Sequence, residues 1–336
     1  MKRMFLATAV LAALCAALYT ALPALAQGEV EEKIDKIMAG YDEAESTQAK
    51  LDIIRDALSS YPESKYTATL LSMAKEHYME LGQMDEFVSL AMKVRSQVKS
   101  VDAQRDIDGV LVETYGEMKD TPRLDEAAER YIGESEENFN LFYDLIQAYA
   151  NANGWSAVLK YAGRAEQFAN AEAYRKDNPT RKMSDEDLAQ RGRNRQGILL
   201  AYAGWAKANT GRPDEAFADY EKADALMPRA YMGFSTGDLD YFWGVTLERS
   251  GKLDAALSRL APLALFGGDE KAGESMKEAY IKKNGSDAGY DAFLKDERMK
   301  YSRPIDDFTL AQYDSTMLSL SSFKGKVMVV SFWFPT

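Results

Sequence analysis

The sequence predicts a mainly α-helical chain. An array of paired helices gives way, from Ile305 to Thr336, to a short segment of α/β character. Three observations carry this. Between Gly28 and about Lys300 apolar residues recur at intervals of three and four, alanine is frequent and β-branched runs are rare. Turn sequences built around glycine return along that stretch, each flanked by helical segments. From Ile305 the apolar period shortens to that of a strand.

The chain has 336 residues, more than one ordinary core accommodates. A hydrophobic content of 46% and a charged content of 28% are globular values. The formal net charge of −12, with no basic block, argues against a nucleic-acid binder, which needs clustered Lys and Arg against phosphate.

Residues 1–26 read as a signal peptide. Lys2 and Arg3 form the positive n-region, Phe5 to Leu22 the apolar stretch, and Ala24-Leu25-Ala26 a small-residue cleavage site before Gln27. An uncleaved anchor is the alternative; Pro23 and the small residues favour cleavage near Ala26. The mature chain is then expected in the periplasm or secreted, with no later stretch apolar enough to span a bilayer. The single cysteine, Cys15, lies inside the signal. Residues 27–336 therefore hold no disulfide, thiolate metal site or cysteine nucleophile.

Residues 27–300 read as the helical array. Pro62 closes a first helix ending at Ala57-Leu58-Ser59-Ser60-Tyr61. Thr121-Pro122 is predicted as N-cap and first helical residue, with Asp125 and Glu126 in the first turn. Ser184-Asp185-Glu186-Asp187 is a second acidic helix start. From Leu200 to Pro228 small and aromatic residues fall at Gly204, Ala216, Tyr220 and Ala223, around the turn Gly211-Arg212-Pro213-Asp214-Glu215. This segment resembles a tetratricopeptide repeat (TPR), a helix–turn–helix unit, with Pro228 at its closing proline and with Leu200 and Lys207 where that family has Trp and Tyr. A second copy has Gly244, the turn Gly251-Lys252-Leu253-Asp254, and Ala256. Weaker turns are read at Leu81 to Phe87, Met118 to Ala128 and Asn153 to Val158, and Ala169 to Arg195 as a charged insert or extended helix. A last helix is expected to begin at Ser286 as N-cap, with Tyr290, Phe293 and Leu294 on its apolar face.

Small residues at Gly204, Ala216 and Gly244 let paired helices approach, and stacked neighbours share one core. The expected architecture is a TPR-like α-solenoid whose concave face binds a protein or peptide partner.

Residues 301–336 form the tail. Ile305 to Leu310 and Thr316 to Leu320 read as strands of a hairpin turned at Gln312 to Ser315. Ser321 to Lys324 reads as a helical turn ended by Gly325, and Val327 to Trp333 as a buried parallel strand. The run Pro304-Ile305-Asp306-Asp307-Phe308-Thr309-Leu310, then Leu318-Ser319-Leu320-Ser321-Ser322-Phe323-Lys324-Gly325-Lys326-Val327 and Phe332-Trp333, resembles the opening of the TlpA-like thioredoxin-fold disulfide reductases. The resemblance implies an incomplete thioredoxin-like (α/β) domain of a hairpin and one core strand. It also implies thiol–disulfide exchange on a protein substrate, and a C-x-x-C pair expected immediately after Thr336. Phe332, Trp333, Phe334, Pro335 and Thr336 would flank that redox site. Three endings fit: a selenocysteine as the next residue, its UGA codon taken for a stop; an ordinary fragment; or a true truncation. Under each, the 336 residues are expected to be inert in disulfide reduction. A non-enzymatic periplasmic TPR scaffold is the alternative.

No cofactor or metal motif is found, and no catalytic residue is assigned within the chain. His77, the only histidine, reads as a solvated or partly packed helix residue. Asp185-Glu186-Asp187, Glu136-Glu137 and Asp306-Asp307 read as caps, solvated faces and a hairpin residue rather than acid–base pairs. The 15 methionines read as core filler.

Overall fold

The structure of the chain, a computed structural model, describes residues 30–133, 136–229, 238–301, 306–311 and 316–326. Residues 30–38 are helical. There follow α1 (Thr47–Ser60), α2 (Thr67–Glu80), α3 (Met84–Gln97), α4 (Val101–Glu117), α5 (Thr121–Ile132), α6 (Phe139–Asn151) and α7 (Trp155–Ala165). The remaining helices are α8 (Ala171–Asp177), α9 (Asp185–Asn209), α10 (Pro213–Leu226), α11 (Leu239–Arg249), α12 (Leu253–Phe266), α13 (Glu270–Asn284) and α14 (Tyr290–Tyr301). The sheet found among the described residues is an antiparallel hairpin of β1 (Thr309–Ala311) and β2 (Met317–Ser319), with Leu310 opposite Leu318.

The array is a TPR-like solenoid built by one turn used five times. Gly82, Lys119, Asn153, Gly211 and Gly251 all take the left-handed conformation, with φ between 56° and 79°. In each turn the next residue's N–H donates back to the carbonyl five residues earlier: Gln83 to Tyr78 (2.8 Å), Asp120 to Tyr115 (2.9 Å), Gly154 to Tyr149 (2.7 Å), Arg212 to Lys207 (3.0 Å) and Lys252 to Leu247 (2.9 Å). This is the Schellman closure that satisfies a helix's last carbonyls. The second helix of each pair starts two residues after the left-handed one. The pairs are α2/α3, α4/α5, α6/α7, α9/α10 and α11/α12.

The first helices of successive pairs pack on one another, α2 on α4, α4 on α6, α6 on α9 and α9 on α11, and α11 packs in the same way on α13, which follows the last pair. The second helices instead pack back on their own pair and on the next pair's first helix. The first helices thus lie closer together than the second, which makes their side the concave one. The apolar core runs from Ile34 to Phe242, with a second cluster from Leu247 to Ala279; Phe217, Tyr241 and Trp243 pack against both.

Several boundaries differ from the sequence reading. Asp120, not Thr121, caps α5, its Oδ1 accepting from the Arg123 N–H at 3.1 Å. The left-handed Lys119 has already ended α4, so Asp120 is the residue free to turn its carboxylate onto the new helix. Ser184 caps α9 as expected, accepting from Asp187. Ser286 does not cap α14. Gly285 and Gly289, both left-handed, hold Ser286 in an intervening turn, and the helix starts at Tyr290. The stretch from Ala169 to Arg195 is α8 plus the start of the long α9. Arg195 ties them together, donating to Asp177 at 2.7 Å and to the Phe168 carbonyl at 3.1 Å. The hairpin strands are three residues each, shorter than expected, and the turn at 312–315 lies outside the described residues. So do the signal segment and the strand expected from Val327 to Trp333.

Candidate interaction groove and tail motif

The packing residues sit at equivalent places in two pairs. A Cβ on Gly204 would lie 2.6 Å from the Tyr220 ring, and one on Gly244 2.5 Å from Leu260, so each glycine lets its partner helix close. Ala216, Tyr220, Ala223 and Ala256 are fully buried. The Tyr220 hydroxyl lies 3.1 Å from Thr246 Oγ1, joining α10 to the next pair. Pro228 is exposed just beyond α10.

Sequence reasoning missed a second device. Asp108 in α4 and Asp240 in α11 stand where the other first helices carry Leu71, Phe142 and Leu200, eleven residues before the turn. Both aspartates are 1% exposed. Asp108 accepts from Arg95 Nε and Nη2 (both 2.8 Å) and Arg130 Nε (3.0 Å), bridging α3, α4 and α5. Asp240 accepts from Arg259 at 2.8 Å, and that guanidinium lies 3.8 Å from the Trp243 ring centroid. Once the repeat register is drawn, an acid at an apolar position is the signal that would have found them.

A cleft of about 450 Å³ opens between α4, α5 and α6. Asp106, Glu113, Tyr131, Asp144, Gln147 and Asn151 give it polar walls, and Gly109 and Ala148 keep it open. Asp144 Oδ2 accepts from the Tyr131 hydroxyl at 2.7 Å. Burial, with Glu113 adding to it, raises the Asp144 carboxyl above its ordinary range, against the lowering effect of the Tyr131 bond. Burial likewise raises the Tyr131 phenol, with Asp144 next. Glu113 is itself paired with the buried Lys75 at 2.9 Å, and Lys75 also reaches Glu117 at 3.0 Å. The cleft is thus acidic and hydrogen-bonding, with one carboxylate partnered by a phenol rather than a cation.

No family model matches the chain, and no curated protein does. Among solved structures it is similar to a tetratricopeptide repeat protein from Parabacteroides merdae, at 15% identity and a TM-score of 0.36, covering 75% of this chain and 98% of that one. The TPR-like assignment stands on the five turns and the layered first helices described above.

His77, expected to be solvated or partly packed, is buried at 8% exposure. Among the described residues no group of three or more His, Cys, Asp or Glu is arranged to hold a metal ion, and no helix is long and apolar enough to cross a membrane. Glu136 pairs with Lys176 and Glu137 with Arg164, while Asp185, Glu186 and Asp187 form the exposed first turn of α9.

In the tail, Asp307 joins the two halves of the motif. Its carboxylate accepts from the Ser319 hydroxyl (2.9 and 3.0 Å) and the Ser321 N–H (2.9 Å). The Ser321 hydroxyl and N–H and the Ser319 hydroxyl hold its carboxyl below the usual carboxylate range. A short 3-10 turn, Leu320–Phe323, follows and ends at the left-handed Gly325. Phe332, Trp333, Phe334, Pro335 and Thr336 lie outside the described residues.

Proposed function

We propose that the chain is an exported protein whose TPR-like array holds a protein or peptide partner on its concave face. Its tail opens a TlpA-like thioredoxin-fold domain for thiol–disulfide exchange, with cysteine or selenocysteine as nucleophile. The observation that carries the redox part is the Asp307–Ser319–Ser321 closure. It gives the D-F-x-L and L-S-L-S halves of the motif one shared structural job, pinning the start of the hairpin to the 3-10 turn that follows it. The array's part is supported by its open, polar cleft. A repeat surface of this kind binds extended chains by many small contacts.

The test is insulin disulfide reduction by the full-length protein. Turnover that is lost when the residue following Thr336 is replaced by serine supports the reading. An inert full-length product that still retains a partner on the array favours the non-enzymatic scaffold instead. Export is tested separately: the mature protein recovered outside the cytoplasm begins at Gln27.

A further inference from the structure

His77 is the one histidine of the chain, and the turn that carries Tyr41 meets its ring. Nε2 lies 2.6 Å from the hydroxyl of Tyr41, which stands in the turn joining helix 30–38 to α1. Nδ1 is the one buried side-chain polar atom among the described residues with no hydrogen-bond partner. The acid nearest to it is Glu80, with Oε2 at 3.6 Å, and that carboxylate accepts from Thr47 Oγ1 at the start of α1 (3.1 Å).

A neutral imidazole has one N–H and one lone pair. Tyr41 satisfies Nε2 with either tautomer. Nδ1 then offers Glu80 either a proton beyond good hydrogen-bond reach or a lone pair facing a carboxylate. An imidazolium has two donors, one for the Tyr41 oxygen and one for Glu80, and the second bond is charge-assisted. From α2 come Glu76 and Glu80, and from the turn Asp42; all three raise the Tyr41 phenol, after burial. From α1 Lys50 lies 5.2 Å from the Tyr41 ring centroid on that ring's face. From α4 Glu113 and Glu117 are engaged by Lys75.

We propose that His77 is a proton-operated latch at the N-terminal end of the array. Proton uptake brings Nδ1–H onto Glu80. It thereby tightens the Tyr41 turn, and the helix at 30–38, against α2. The end of the solenoid is then closed in mild acid and looser in mild base, independently of any redox activity of the tail.

The lone histidine makes the test clean, because the ring C–H signals of a single imidazole can be followed without overlap from another. Those NMR signals are followed from pH 5 to 8 beside hydrogen exchange of residues 30–46, corrected for intrinsic rates. Protection of 30–46 is expected to rise about three- to tenfold on acidification, tracking the imidazole titration. Glu80→Gln, at an exposed side chain that leaves the fold intact, should flatten the rise, as should His77→Gln. Protection that ignores the imidazole titration, falls on acidification, or persists unchanged in Glu80→Gln overturns the latch. So does an imidazole that stays in one state across the range.

Discussion

The buried aspartate of α4 offers a sharp test of how the array is held together. Asp108 is 1% exposed and receives three guanidinium hydrogen bonds, from Arg95 and Arg130. Breaking a fully buried ion pair by deleting one partner costs roughly 3–5 kcal/mol, because the other charge is stranded. Here the two arginine side chains are 24% and 30% exposed, so each has a route to water. Asp108→Ala is therefore expected to cost about 2–3 kcal/mol, combining lost bonds with a small cavity. Asp108→Leu installs the side chain that α2 and α9 carry at the same register, Leu71 and Leu200, and should cost about 1 kcal/mol, since it fills the space while the guanidinia turn outward. Urea unfolding by circular dichroism gives the totals. Native-state hydrogen exchange of α3, α4 and α5 gives the local effect, which is needed because repeat arrays unfold in parts. An alanine variant within 0.5 kcal/mol of the parent refutes a structural role for the cluster. A leucine variant worse than alanine refutes the claim that the guanidinia escape to solvent.

Lys119→Gly should stabilise by about 0.5–1 kcal/mol in the same urea assay, since lysine at φ 56° carries a left-handed penalty that glycine lacks. Asn153→Gly, at φ 59°, should gain less because asparagine tolerates that region. Burial raises the Asp144 carboxyl, so the folded state holds its proton more tightly than the unfolded state does, and stability falls as pH rises through the window between the two values. Asp144→Asn, which keeps an acceptor for Tyr131 but cannot ionise, should melt higher than the parent at pH 7, with the gap closing below about pH 4. The opposite sign applies to Asp307, whose carboxyl is lowered: its contribution is present above the ordinary aspartate range and disappears as pH falls through the lowered value. Asp307→Ala should abolish amide protection at Leu310 and Leu318 at neutral pH while leaving the array's exchange untouched.

What could be read in the sequence was what local chemistry fixes. Helical period, the acidic start at Ser184 and the turns at Gly211 and Gly251 are each set by a few adjacent residues, and the structure has them. The turns at Lys119 and Asn153 were harder, because a lysine or asparagine does not advertise a left-handed backbone. They were found only through the flanking helical pattern. The Ser286 cap failed because two glycines, Gly285 and Gly289, compete with a serine cap, and the chain took the turn they permit. Long-range pairings left no local mark. Nothing near Asp108 announces Arg130, and nothing near Tyr41 announces His77, which lies across two helices.

The five pairs also explain why the repeats differ so much in sequence while sharing one geometry. Take the residue seven before each left-handed turn with those five and nine after it. In α9/α10 and α11/α12 these are Gly204, Ala216 and Tyr220, then Gly244, Ala256 and Leu260: small, small, large. In α4/α5 and α6/α7 they are Val112, Leu124 and Ala128, then Ile146, Val158 and Ala162, with the bulk moved to the first two places. In α2/α3 they are Lys75, Phe87 and Ala91. All except Lys75 among the side-chain-bearing members are core residues. A close-packed interior constrains the volume summed across facing positions far more than the identity at any one of them. The tightest helix approach can therefore sit at a glycine in one pair and at an alanine of the opposite helix in another. A motif defined by residue type at fixed places captures the first arrangement and loses the second. The left-handed turn and its back-donated hydrogen bond, which depend on backbone alone, persist through both.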